Sequence, residues 1–267
     1  MSPQHFQLVC EIEPPTRPDL AHVRTQIAVL SRHADAFLAP DNHIGRATVS
    51  SIAVAHEIER VGAPGIACLN SRDRNLLGFR RDLLTAAAYG VRRMVFVYGD
   101  KPTSGNRTSD LTVRAMIEEV RRIRDEPAFD GIPPFEVGVA AQPGRPLPRW
   151  KCAADFVLTQ VSFSVPEVLR WREAQSYDGP VYAGVLVLAS DAMATRLRGA
   201  IPDIDIPDVL IERLRRDKRV GVEMACEQVD QIRESGGFDG VHLVSGVRFR
   251  QVAEVLDARG WAGSPRG

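Results

Sequence analysis

No two cysteines in this chain stand close enough in sequence to make a metal-binding pair. Cys10, Cys68, Cys152 and Cys226 are scattered with no CxxC among them, which argues against a zinc site. Cys10 and Cys68 sit inside apolar runs, where free buried thiols and a reducing, cytoplasmic setting are expected. An excess of one charge is also missing. The 34 basic and 34 acidic residues give a formal net charge of zero, and no basic patch stands out, so nucleic acid is not an expected partner. The longest apolar run, AGVLVLA from Ala183, is far short of the roughly 20 residues that span a bilayer. The opening MSPQHFQL lacks the basic and apolar regions of a secretory leader. No GxGxxG follows the first apolar run, and no internal repeat or low-complexity tract is present. The first of these absences weighs against a dinucleotide-binding open sheet.

Present instead is a regular alternation. Eight strand-like runs recur: FQLVCEI, DAFLA, GIACL, RRMVFVY, FEVGVAA, DFVLTQ, PVYAGVLVL and GVHLVS. Between them lie helical patterns. Leu20, Val23, Ile27 and Leu30 share one face, as do Val113, Met116, Ile117, Val120 and Ile123, with Ser109 placed as N-cap. Val222, Ala225, Val229 and Ile232 repeat the spacing, and Phe249, Val252 and Leu256 close the series. Strands alternating with helices predict a parallel sheet. Eight units in 267 residues predict closure into a single (β/α)8 TIM barrel over residues 1–262, with a frayed tail at 263–267. A doubly wound open sheet is the runner-up. Two connections break the rhythm. QPGRPLPRWKC has room only for a stub of helix, and about fifty residues separate the last two strands, with IPDIDIP as a break between helices.

A barrel carries its chemistry at the C-terminal ends of its strands. Those ends read Glu11 and Glu13, Asp41, Asn70, Tyr98 and Asp100, Gln142, Gln160, and Ser245. Any single one is more often a solvated rim residue than a functional one. Glu11 is the exception, since it precedes the last strand residue and should face the barrel mouth. Alternate strand residues share a face, so Glu13 is expected beside it. A carboxyl desolvated near a second acid holds its proton more tightly, which suits a general acid at neutral pH. Asp100, after a GD turn, could orient a substrate amide, tune Glu11, or cap the next loop.

The segments CEIEPPTRPDL, SRDRNLLG, GVRRMVFVYGDKPTSG, VAAQPG and VLTQVSFS, in that order, resemble the methylenetetrahydrofolate reductase family from about Phe6 to Leu188. The resemblance implies a TIM barrel that reduces 5,10-methylenetetrahydrofolate to 5-methyltetrahydrofolate. It implies that Glu11 is the acid that helps open the imidazolidine ring, that Asp100 contacts the pterin and tunes the reaction, and that Gln160 binds folate. Gln142 and Glu13 are placed with the substrate. The family's usual hydride donor is FAD in its reduced form, and here the pattern departs. Asp41 stands where a threonine is expected, Gly65 where a histidine is, Tyr98 where an arginine precedes GD, and Gln142 where a tyrosine is. Losing an arginine beside a pyrophosphate removes a charge-assisted contact worth about 1.5–3 kcal/mol, and Asp41 would repel phosphate. NADH or NADPH is therefore expected to give its hydride directly, with Asp41, Asn70, Tyr98 and Ser245 on the cofactor side. Arg72, Arg74, Lys101 and the Ser245–Gly246 turn are candidate phosphate contacts, each more simply a surface charge or a turn. The same residues also admit an FAD-dependent reductase with substituted contacts, a relative with a different one-carbon carrier or hydride donor, and a non-catalytic folate- or partner-binding relative. The last has no use for the acid. The expected partner is a small reduced folate, bound by a monomer or small homo-oligomer without a membrane.

Overall fold

The computed structural model describes residues 5–42, 45–101, 103, 110–200 and 204–263. Eight parallel strands close into a barrel in chain order: β1 (Gln7–Glu11), β2 (Ala36–Ala39), β3 (Gly65–Asn70), β4 (Arg93–Val97), β5 (Glu136–Ala141), β6 (Phe156–Val161), β7 (Val181–Leu186) and β8 (Gly240–Val244). The helices among the described residues are α1 (Ala21–Leu30), α2 (Ser51–Glu59), α3 (Leu76–Ala88), α4 (Val113–Arg122), α5 (Val165–Glu173), α6 (Asp191–Ala200), α7 (Asp208–Arg216), α8 (Val220–Ser235) and α9 (Phe249–Ala258). None of these is long and apolar enough to cross a membrane.

The strand pattern sorts the side chains into two layers. Val9, Ala36, Leu38, Ile66, Cys68, Val95, Phe156, Leu158 and Tyr182 fill the barrel interior. The alternate residues, among them Leu8, Cys10, Phe37, Ala67 and Leu243, face outward and pack under the helices. Both faces of each strand are therefore buried, which is why the strands read as continuous apolar runs. Truncating an interior aromatic such as the fully buried Phe156 should cost about 3–5 kcal/mol.

The irregular connections fall where expected. A five-residue 3-10 turn, Arg149–Ala153, replaces a helix between β5 and β6. Three helices, α6 to α8, fill the span between β7 and β8. Residues 204–207 of the IPDIDIP break are non-helical, and 201–203 lie outside the described residues. A separate apolar cluster, with Leu188, Ala194, Ile206, Leu210 and Leu214, sits under α6 and α7. The N-cap of α4 is Thr112, whose side chain accepts from the Ala115 amide at 3.1 Å. Ser109 lies outside the described residues, as do 264–267 of the expected tail.

Candidate active site

The strand-end residues that the sequence points to stand on one rim, the C-terminal mouth of the barrel. Glu11 is the last residue of β1 and continues the inward face of Val9. Its side chain is 15 % exposed, so it borders the mouth without being free in solvent. The shared face ends there. β1 stops at Glu11, Ile12 is buried, and Glu13 is exposed in the following turn. Pro14 and Pro15 cannot extend a ladder. The turn is instead held by Gln26 of α1, fully buried, which accepts from the Glu13 amide at 3.2 Å and donates to the Glu13 carbonyl at 3.3 Å.

Asp41 and Asn70 are brought into direct contact. The Asp41 carboxylate accepts from the Asn70 amide at 3.0 Å and from Asn70 Nδ2 at 2.7 Å. Arg74 Nη1 donates to the same Asp41 oxygen at 2.5 Å and to the Asn70 carbonyl at 2.8 Å, while its Nε donates to Asp82 at 2.9 Å. Burial works against the Arg74 charge, and Asp41 and Asp82 more than offset it, holding its pKa above the ordinary arginine value. The expectation that Asp41 acts as an unopposed negative charge therefore needs correcting. Its charge is compensated from within the rim by Arg74, which is not the solvated surface cation that sequence alone suggests.

Asp100 follows a turn that only glycine fits. Gly99 has φ +91°, and a Cβ there would meet Asn70 Cβ at 2.7 Å. Tyr98 is 47 % exposed, and the Arg72 guanidinium lies over its ring at 4.5 Å. Gln142 is half-buried just past β5. Gly65 stands at the opposite end of β3, where a Cβ would meet the Ala55 carbonyl oxygen of α2 at 2.6 Å. Its identity is set by helix packing and carries no information about the mouth. Ser245 follows β8 with its hydroxyl buried and, among the described residues, without a hydrogen-bond partner.

Gln160 owes its placement to an irregularity in β6. The register with β7 shifts between Leu158 and Val161. Thr159 repairs the ladder with its side chain: Oγ1 accepts from the Gly184 amide at 2.9 Å and donates to the Gln160 carbonyl at 3.0 Å. A Cβ on Gly184 would meet the Thr159 carbonyl at 2.5 Å, so the bulge needs glycine opposite. The result is an exposed Gln160 next to a buried Thr159, the usual effect of a bulge beside a functional mouth.

One rim-facing residue escapes a reading of strand ends. His242, in the middle of β8, is the register partner of Val9 on β1 and of Gly184 on β7. Its Nε2 lies 3.2 Å from Glu11 Oε2. The sequence does carry a signal, a polar residue breaking the run GVHLVS, but its partner becomes visible only once β8 closes against β1.

The methylenetetrahydrofolate reductase family model matches residues 25–260. The chain belongs to that family. The match runs well past Leu188, where the resemblance in motifs ends. A comparison with curated proteins finds no match. Among solved structures, a Clostridium thermocellum protein described as binding two copies of 5-methyl-5,6,7,8-tetrahydrofolic acid is 14% identical, with TM-score 0.66, covering 96% of this chain and 97% of that one. The Bacillus cereus spore cortex-lytic enzyme SleL is 12% identical, with TM-score 0.60, covering 98% and 76%. A mutant tryptophan synthase α-subunit from Pyrococcus furiosus is 14% identical, with TM-score 0.51, covering 95% of both chains. At such identities the likeness speaks for the fold alone.

The family's flavin can be tested against this rim. A pyrophosphate needs cationic or N–H donors facing it. Along β2 and β3, Arg74 is committed to Asp41, Asp82 and Asn70, and Arg72 is stacked on Tyr98. Asp73 adds a further carboxylate, accepting from Asn42 at 3.0 Å and from Asn70 at 3.1 Å. This side of the rim fits a dinucleotide pyrophosphate poorly. Among the described residues no cluster of His, Cys, Asp and Glu could hold a metal ion.

Proposed function

We propose that this chain reduces 5,10-methylenetetrahydrofolate to 5-methyltetrahydrofolate with a hydride taken directly from NADH or NADPH. The observation that carries the proposal is the inward-facing, mostly buried carboxyl group of Glu11 at the mouth of a barrel of this family. Glu11 protonates the departing ring nitrogen as the imidazolidine opens and leaves an iminium at N5. Asp100 and Gln160 match the donor and acceptor edge of the pterin, with Gln142 and Glu13 beside them. Asp41, Asn70, Tyr98 and Ser245 lie toward the nicotinamide end of the dinucleotide, whose pyrophosphate lies off the β2–β3 side. Nicotinamide is itself a hydride donor, so the chemistry needs no flavin between it and the iminium. The poor fit of the β2–β3 rim counts equally against the pyrophosphate of FAD and that of a nicotinamide dinucleotide, so the direct route rests on the competence of nicotinamide itself as a hydride donor. Family membership alone favours a conventional FAD-dependent reductase.

The test is NADH and NADPH oxidation by purified protein with methylenetetrahydrofolate and no added flavin, with the visible spectrum recorded on the same sample. Turnover without a flavin band is the expected result. Turnover only after FAD is supplied would refute direct transfer, and no turnover under either condition would favour a relative that binds folate without reducing it. Glu11→Gln should lower kcat by roughly a hundred- to ten-thousand-fold while the fold is kept. Full activity in that variant would move the acid role to Glu13.

A further inference from the structure

His242 has no part in the scheme above, yet it stands against the acid. Its side chain is 11 % exposed, and Nε2 approaches Glu11 Oε2 to 3.2 Å. Nε2 makes ion-pair contact without a hydrogen bond among the described residues. Its strand neighbours Val9 and Gly184 offer it no polar side chain. The ionisable groups deeper along the axis are engaged elsewhere. Arg93 of β4 pairs with Glu136 of β5 at 3.0 Å, and the Tyr182 hydroxyl of β7 donates to Gln7 of β1 at 2.7 Å. Cys68 of β3 is a buried thiol whose pKa is pushed far up by burial first and by Asp41 and Glu11 next. Higher on the rim stand Asp41, held by Arg74, and Asp100.

We propose that His242 is a positioning and relay residue that hands a proton to Glu11 as Glu11 gives its own to the substrate. The proposal rests on Glu11 being the acid. Reducing the methylene carbon with a hydride consumes one proton per cycle. The Glu11 O–H bond breaks as its proton goes to the departing ring nitrogen, and the electron pair of the broken C–N bond stays on that nitrogen. The hydride then fills the iminium carbon and the dinucleotide leaves oxidised. As Glu11 gives up that proton, the imidazole turns so that His242 Nε2–H passes its own to Oε2; Glu11 is left neutral for the next cycle, and the neutral imidazole takes another proton from water at the mouth. An imidazole is the side chain whose ordinary pKa lets it do both near neutral pH.

The experiment compares pH profiles of kcat for wild type, E11Q, H242Q and H242N, with NADH and methylenetetrahydrofolate. H242Q should lose at least about tenfold in kcat with little change in KM, because a proton-transfer partner acts on the chemical step. Added imidazole should restore turnover to H242Q in proportion to its protonated fraction, and should do nothing for E11Q. An inactive E11Q beside an H242Q with the wild-type profile would overturn the relay and leave the acid assignment standing. A fully active E11Q would overturn the acid assignment, and the relay with it. Should both His242 variants fail to fold, a solvent-deuterium proton inventory on the intact enzyme decides. A bowed plot is expected for two protons in flight, and a straight line overturns the relay.

Discussion

Replacing Arg74 with Met should be among the most damaging single changes at the rim. The Arg74 side chain is only 14 % exposed and Asp41 only 5 %, so screening by solvent is limited. Arg74→Met leaves the Asp41 carboxylate without its cation, leaves Asp82 with Arg81 alone, and removes a donor from the Asn70 carbonyl. Breaking a buried ion pair by removing one partner costs about 3–5 kcal/mol. The cost arises from the charge left behind, so Asp41→Asn on top of Arg74→Met should relieve part of it. The two changes should then be non-additive by about 1–3 kcal/mol. Urea denaturation measures this as a drop in midpoint at constant slope. A loss below about 1 kcal/mol for Arg74→Met, in the range of exposed pairs, would refute the view that this network is a buried support for Asn70 and the Gly99 turn.

Further outcomes follow from the same geometry. Thr159→Val removes both hydrogen bonds that hold the β6 bulge; it should destabilise by about 1–3 kcal/mol and raise the KM for folate through a displaced Gln160, whereas Thr159→Ser should restore both. Gly99→Ala forces a side chain into φ +91° and against Asn70; a cost of about 1–3 kcal/mol and a lower kcat are expected, read by thermal melting and turnover. A thiol reagent should modify Cys152 alone in the native protein, since Cys10, Cys68 and Cys226 are buried and burial pushes the Cys226 thiol up to about 11; fast labelling of more than one thiol would contradict that burial.

The barrel is legible in the sequence because every strand is buried on both faces and each run stops at a polar residue. The rim positions of Glu11 and Gln160 are legible for the same reason, as residues at which apolar runs end, and Asp100 follows its run by one glycine turn. What sequence order hides is proximity. Asp41 and Arg74 are 33 residues apart, and nothing between them signals an ion pair, so the carboxylate looks unopposed and the guanidinium solvated until β2 and β3 are set side by side. His242 sits inside a run, not at its end, and its contact with Glu11 depends on a strand register set at the opposite terminus. Gly65 misleads in the other direction: it resembles a lost contact at the mouth, but it lies at the far end of its strand.

Barrel closure also has a consequence in time. Val9 pairs with His242, and Cys10 with Leu243, so the first strand made waits for the last. At ribosomal speeds of about 5–20 residues per second, β8 emerges on the order of ten seconds or more after β1. Through that interval the apolar β1 has one edge with no mate, an open template for pairing with another chain. Glu11 is on that strand, so the same event that seals the edge also brings His242 against it. A nascent chain caught before that point would have neither a closed sheet nor a complete site, and this is the window in which a chaperone would matter most.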